Sequence, residues 1–252
     1  MEAEGRILSG DMEESFVTDD IETKMLQRNV SEILGVLHRN QYKNSPPAKL
    51  IAVTKTVASG TINCLKPLRI LDIGENRVQA ALPKLPKIAP DFRLHWIGRL
   101  QTNKVKDIID HVSMLHSMDR MALAQEAERR SGMKGRVLPV LIQVNIAGES
   151  QKAGLDVTEV RPFIHKIKCF SNIHVKGLMT ILPLDAESSS LAVWFRGMRT
   201  LFDQLREDAV GNVDMVELSM GMSNDFSIAA REGATMVRVG TALFHPPEGD
   251  LS

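Results

Sequence analysis

Eight short apolar runs, separated by stretches of helical periodicity, constrain this chain more than any other feature. The runs are KLIAVTKTV (49–57), RILDIGEN (69–76), FRLHWIG (92–98), HVSMLHSM (111–118), VLPVLIQVN (137–145), IHVKGLMTI (173–181), DMVELSMG (214–221) and TMVRVGTALF (235–244). Several are apolar on both faces, as parallel strands become when helices cover them. Helices are expected between them at 59–67, 77–85, 103–110, 120–130, 157–169, 187–209 and 223–232. Eight such units in about 200 residues predict a single (β/α)8 TIM barrel. A doubly wound open sheet is the alternative, but its first turn needs GxGxxG, and AVTKTVASG lacks it.

Ahead of the first run, Ile21, Met25, Leu26, Val30, Ile33, Leu34 and Leu37 recur at helical spacing. They predict an extra N-terminal helix capped by Thr18 or Asp19 and ended by NSPP at 44–47. Residues 1–17 read as a disordered acidic tail, and residues 18–252 as one domain, since no repeat, linker or low-complexity block divides them.

Composition excludes several classes. Lys plus Arg and Asp plus Glu both total 31, and aromatics are 4%. A nucleic-acid-binding protein needs a cationic excess or stacking platforms, so no nucleic-acid partner is expected. The two cysteines, Cys64 and Cys169, form no CxxC pair, which argues against a thiolate metal site and fits a reducing compartment. No apolar run approaches membrane length, and the acidic N-terminus resembles no signal or transit peptide. A cytoplasmic location is expected. A monomer is expected as well, because no long exposed apolar stripe suggests an interface.

In a barrel of this kind the chemistry gathers at the C-terminal ends of the strands, with phosphate held after strands seven and eight. Lys55 stands late in the first run, sharing alternation with Ile51 and Val53. Buried at the barrel mouth, its pKa would fall and suit it to Schiff-base formation; reaching solvent, it is an ordinary strand-end lysine. Asn76 ends the second run, as a ligand contact or as a helix cap. Ser223 is expected where the seventh of the intervening helices begins, after Gly221, and such a start can hold an anion. Gly240 lets backbone approach a ligand at the end of strand eight, and Thr241 adds a hydroxyl and an N–H. Arg238, inside strand eight, needs a partner; a structural ion pair with Asp72 or another carboxylate is one answer. His95 reads as a core histidine. Asn145 and Lys152 sit on or near a Gly-flanked loop, and Lys176 lies early in strand six, where a class I aldolase would place its lysine.

The blocks AVTKT, GENRVQ, HWIGRLQTNK, QVNIAGESQKAG, GLM, LSMGMSNDF and MVRVGTALF run in order from about residue 20 to 245. Together they resemble the pyridoxal 5′-phosphate homeostasis proteins, also called proline synthetase co-transcribed homologues. The resemblance implies a fold-type III barrel, like the N-terminal domain of alanine racemase, carrying pyridoxal 5′-phosphate (PLP). It implies Lys55 as the Schiff-base lysine, Ser223, Gly240 and Thr241 as phosphate ligands, Arg238 facing the pyridine nitrogen and Asn76 close to the cofactor. Met220 and Met222 would shape the phosphate loop. Ala80, Ile73 and His245 depart from the family pattern at positions that make no cofactor contact.

An arginine at the pyridine nitrogen disfavours its protonation and so weakens the ring as an electron sink. Racemisation also needs a second base, which alanine racemase takes from a tyrosine on a separate domain. The one tyrosine here, Tyr42, precedes the barrel. The expectation is a non-catalytic carrier that stores, buffers or delivers PLP, with PLP-dependent apoenzymes as receivers. The alternatives are a minimal amino-acid racemase and a Schiff-base aldolase using Lys176.

Overall fold

The structure, a computed structural model, describes residues 10–149, 151–208 and 210–246. Eight parallel strands close into a barrel in sequence order: β1 (Lys49–Val53), β2 (Asp72–Glu75), β3 (Arg93–Trp96), β4 (Val112–Met118), β5 (Leu138–Gln143), β6 (Ile173–Met179), β7 (Val213–Ser219) and β8 (Met236–Val239). Closure comes from β8 pairing with β1, Leu50 opposite Val237 and Ile51 opposite Arg238. Seven of the eight expected runs contain one strand each, and the seventh run differs only in that β7 starts one residue ahead of it, at Val213.

Around the barrel run α2 (Ser59–Asn63), α3 (Val78–Ala81), α4 (Val105–Ile108), α5 (Met121–Met133), α6 (Val157–Ile167), α7 (Ser188–Glu207) and α8 (Phe226–Arg231), and a short α9 (Thr241–Phe244) follows β8. The longer ones bury a stripe. In α7, Leu191, Phe195, Met198, Phe202 and Leu205 face the strands at the three-and-four spacing that defines a helix face. Helix α6 opens with a capping box between Asp156 and Glu159, which satisfies two amides that would otherwise lack partners.

Helix α1 spans Gly10–Arg39. It begins earlier than the caps expected at Thr18 or Asp19, so residues 10–17 belong to the helix and not to the expected tail; residues 1–9 lie outside the described residues. Leu26, Val30, Ile33 and Leu37 are buried, and α1 packs against α8 and α9. Asn29 fixes this contact, donating from Nδ2 to the carbonyls of Leu243 and His245, both at 3.0 Å.

Three of the boundaries that differ from expectation frame the mouth. The first run stops being strand at Val53, leaving Lys55 in the turn that follows. The eighth stops at Val239, so Gly240 and Thr241 open α9 instead of extending β8. Helix α8 starts at Phe226, not Ser223: the Asp225 carboxylate accepts the Met222 N–H at 2.5 Å, and residues 223–225 form a turn ahead of the helix.

Between β6 and β7 the ladder shifts register, Val175 facing Val213 but Gly177 facing Glu217. Gly177 sits there at φ +150, and a Cβ on it would collide with the Glu217 carbonyl oxygen. Gly177→Ala is therefore expected to cost about 3 kcal/mol or more, read by urea unfolding of the two proteins side by side. A loss under about 1 kcal/mol would show that the ladder can shift to make room.

Candidate functional site

A cavity of about 480 Å³ opens at the C-terminal ends of the strands, within the range that takes small ligands. Lys55, Asn76, Ser223, Arg238, Gly240 and Thr241 all line it. Six residues spread over 186 positions of sequence thus share one mouth.

Lys55 is exposed, the solvent-reaching one of the two alternatives the sequence left open, because β1 ends two residues before it. Among the described residues its ammonium has no ion pair or hydrogen bond. The turn carrying it is pinned from below: Thr54 Oγ1 donates to Glu75 at 2.8 Å. Lys84 Nζ donates to the same carboxylate oxygen at 2.9 Å and to the Thr54 carbonyl at 2.7 Å. Glu75 is buried, so this anchor is shielded from water and holds the lysine's base while leaving its amine free.

At the other side of the mouth the Gly240 and Ala242 amides converge on Ser223 Oγ, each at 3.3 Å. These are long for N–H···O bonds, so both donors and the hydroxyl are weakly committed and can turn to an anion. A Cβ on Gly240 would press on Val53 at 3.3 Å, which keeps this corner open to backbone approach. Asp225 also lines the cavity, a residue the sequence motif contains but residue-by-residue reading passed over. Burial pushes its carboxyl up, against the Met222 amide and the positive charge of Arg238. Met222 lines the cavity, whereas Met220 is in the core.

Arg238 is buried and, among the described residues, forms no ion pair. Nη1 donates to Ser219 Oγ at 2.6 Å and Nη2 to the Thr180 carbonyl at 2.7 Å. Burial brings its pKa down to about 10, with the Asp225 charge working the other way; it remains a cation at neutral pH. The structural alternative, an ion pair with Asp72, does not form. Asp72 instead receives both Arg93 Nε at 2.8 Å and Arg93 Nη2 at 2.6 Å.

Asp72 nevertheless reaches Arg238 through four hydrogen bonds. His95 Nε2 lies 2.9 Å from Asp72 Oδ1, and His95 Nδ1 lies 2.8 Å from His116 Nε2. His116 Nδ1 lies 3.0 Å from Ser219 Oγ. The members come from β2, β3 and β4 on one side and β7 and β8 on the other, so the chain crosses the barrel interior. Burial raises the Asp72 carboxyl, but the hydrogen bonds and charges of Arg93 and His95 outweigh it and hold the group well below the usual carboxylate range. Burial, then the charges of His95, Arg238 and Lys49, hold His116 well below the usual imidazole range. With Asp72 ionised and His116 neutral, the contacts can be followed from the Asp72 end. Ionised Asp72 only accepts, so His95 Nε2–H donates to it, and the His95–His116 and His116–Ser219 contacts each carry one proton between their two atoms. Sequence reasoning read His95 as core and did not weigh His116 or Ser219; residues 21 to 103 apart give no local sign of such a contact.

The other sequence candidates lie elsewhere. Lys176 is paired with Asp214 at 2.8 Å and does not line the cavity. Lys152 pairs with Glu149, and Asn145 donates to the Glu149 carbonyl. Tyr42 stacks under Arg199 and Lys43, away from the mouth. Among the described residues no group of three or more His, Cys, Asp or Glu stands ready for a metal, and no helix is long and apolar enough to cross a membrane.

A closed parallel barrel with a free amine, a two-amide hydroxyl cradle and a buried arginine around one cavity defines an anion-binding (β/α)8 protein with an amine at its mouth. Residues 21–246 match the family model described as alanine racemase, N-terminal domain. A protein of Aquifex aeolicus named pyridoxal phosphate homeostasis protein is 41% identical over 198 residues, covering 78% of this chain and 86% of its own. The structure of PipY from Synechococcus elongatus with PLP bound superposes with a TM-score of 0.77 at 31% identity, over 87% of this chain and all of PipY. Alanine racemase of Clostridium difficile shares the fold, with a TM-score of 0.69 at 16% identity over 91% of this chain and 61% of its own. The chain belongs to the alanine racemase N-terminal-domain family and, within it, to the branch of relatives named pyridoxal phosphate homeostasis protein.

The neutral state of His116 has a measurable consequence. Its folded pKa lies below the unfolded value of 6.5, so below that pH the unfolded chain binds the extra proton and stability falls. Relative to His116→Gln, the wild-type protein is expected to lose up to about 1.4 kcal/mol per pH unit as pH drops below 6.5. Urea unfolding at pH 7.5, 6.5 and 5.5 reads the difference; parallel pH profiles would contradict the assignment.

Proposed function

We propose that this protein binds PLP in the mouth cavity and serves cytoplasmic PLP homeostasis, storing, buffering or delivering the cofactor without robust turnover of its own. The observation that carries the reading is the composition of the cavity wall. Its titratable side chains among the described residues are Lys55, Asp225 and Arg238, which is a binding set with one nucleophilic amine. PLP would supply an aldehyde for attachment and a phosphate for anchoring.

The residues fit that group. Lys55, unpaired at the mouth, is the amine for the aldehyde. Ser223, Gly240 and Thr241 would take the phosphate, replacing the two long amide contacts at Ser223 Oγ with shorter, charge-assisted ones. Arg238 would face the ring nitrogen, and Asn76 would lie beside the ring. As a group with only donors, Arg238 would offer an N–H to the ring nitrogen and favour that atom as an acceptor. The chain behind it, ending on ionised Asp72 and Arg93, fixes where the guanidinium points. The domain that does this runs, in this reading, from residue 18 to 252, with PLP-dependent apoenzymes as receivers.

Two features stand against catalysis. A racemase needs a second base on the face opposite the lysine, and Asp225 is engaged in holding the Met222 amide. An aldolase lysine must reach the cavity, and Lys176 is committed to Asp214 outside it. In D2O, PLP-loaded protein with L-alanine is accordingly expected to give no multiple-turnover loss of the α-proton by NMR. Exchange at about 1 per second or faster would make the protein an enzyme.

A further inference from the structure

A second cavity, of about 590 Å³, lies beside the first at the same face of the barrel, framed by the segments that follow β2, β3 and β4. Apart from Asn76, none of its lining residues enters the PLP reading. Its wall carries four cations, Arg77, Arg99, Lys104 and Arg120, and no carboxylate. Two carboxylates outside the wall offset part of this charge. Asp119 holds Arg120 at 2.6 Å and stands 4.0 Å from Arg99, and Asp107 holds Lys104 at 3.3 Å. Arg77 makes no ion pair among the described residues. The cluster is therefore short of about two negative charges, gathered around one concavity in a chain whose formal net charge is zero.

Trp96 adds an independent sign of a ligand. It lines this cavity and is 1% exposed, yet its indole Nε1–H is buried without a hydrogen-bond partner. Buried donors are almost always paired, so an orphan in the wall of a polar cavity marks a place where a partner is expected. Gln79 and Gln101 supply further amide groups around the rim.

We infer that this cavity is a second ligand site, for a dianionic phosphate monoester of metabolite size. The charge deficit matches a phosphate dianion, which planar guanidinium groups hold bidentately. The volume suits a molecule larger than a bare ion. A nucleic-acid backbone would require a cationic track extending beyond one pocket, and the balanced charge of the chain supplies none. Asn76 lines both cavities, so the second ligand would sit one residue away from the first.

Equilibrium dialysis against phenyl phosphate tests this on the full chain carrying Ser223→Ala, which weakens phosphate holding in the mouth cavity. Saturable binding near one per chain is expected, with a Kd below about 1 mM. Adding Arg77→Gln and Arg99→Gln, both on exposed side chains, should weaken it at least tenfold while thermal unfolding by circular dichroism stays unchanged. No saturable binding, or binding that the arginine substitutions leave intact, would overturn the inference. Binding of a single-stranded RNA oligomer in place of phenyl phosphate would overturn it too, in favour of a nucleic-acid surface.

Discussion

A guanidinium buried in a parallel barrel without a carboxylate against it is the constraint from which the rest of this structure is organised. Desolvating such a cation costs several kcal/mol unless its donors are met. Here they are met by neutral acceptors, the Ser219 hydroxyl and the Thr180 carbonyl. The negative charge that acts on it is Asp225, while Asp72, already held by Arg93, reaches it only through a hydrogen-bonded chain. A carboxylate placed directly on Arg238 would hold it as a closed ion pair. Met by neutral acceptors, it stays a cation at neutral pH and part of the cavity wall. The core of the barrel thus serves as the electrical mounting for one side chain at the mouth, and the two histidines are functional in orienting it although neither lines the cavity.

The remaining parts of the mouth follow the same division between a rigid base and a free tip. Thr54, Glu75 and Lys84 lock the turn beneath Lys55 while its amine is exposed. Asp225 ties the loop after β7 through the Met222 amide, and Ser223, two residues earlier, is held only by long contacts. Gly240 keeps the corner between β8 and β1 clear. A binding site with a well-supported base and weakly committed ligating groups favours reversible capture of an anionic aldehyde. Fixed acid and base pairs, which turnover requires on both faces of a substrate, are not what this wall offers. Kinship with PLP-bound PipY agrees with PLP as the cofactor of this barrel.

The barrel was legible in the sequence because parallel strands covered on both faces must be apolar along their length, and eight such runs in order leave few topologies. The site was legible because polar residues at strand ends are conspicuous against that background: Lys55, Asn76, Arg238 and the Ser223 and Gly240–Thr241 pair all converge on one cavity. What the sequence did not convey was where each ladder stops. AVTKTV and VRVGTALF keep strand-forming residues past Val53 and Val239, so the pattern alone carried the first run over Lys55 and β8 over Thr241. The start of α8 depended on one side chain, Asp225, folding back on Met222. An ion pair of Arg238 with Asp72 was one alternative, but Arg93, in register beside Asp72 on β3, takes that carboxylate, and the interior histidines fill the gap. Each of these is a tertiary competition among residues distant in sequence, which periodicity does not encode.

The central claim is that Lys55 is the amine at which this mouth captures PLP. Its most direct test is to load the purified protein with PLP, record the visible spectrum, reduce with borohydride and map the labelled peptide, with Lys55→Ala treated in parallel. The account predicts a yellow protein whose reduction leaves the pyridoxyl group on Lys55, and a Lys55→Ala protein that still binds PLP weakly but carries no label. A label on another lysine, or a protein that stays colourless and takes up no PLP, would contradict it.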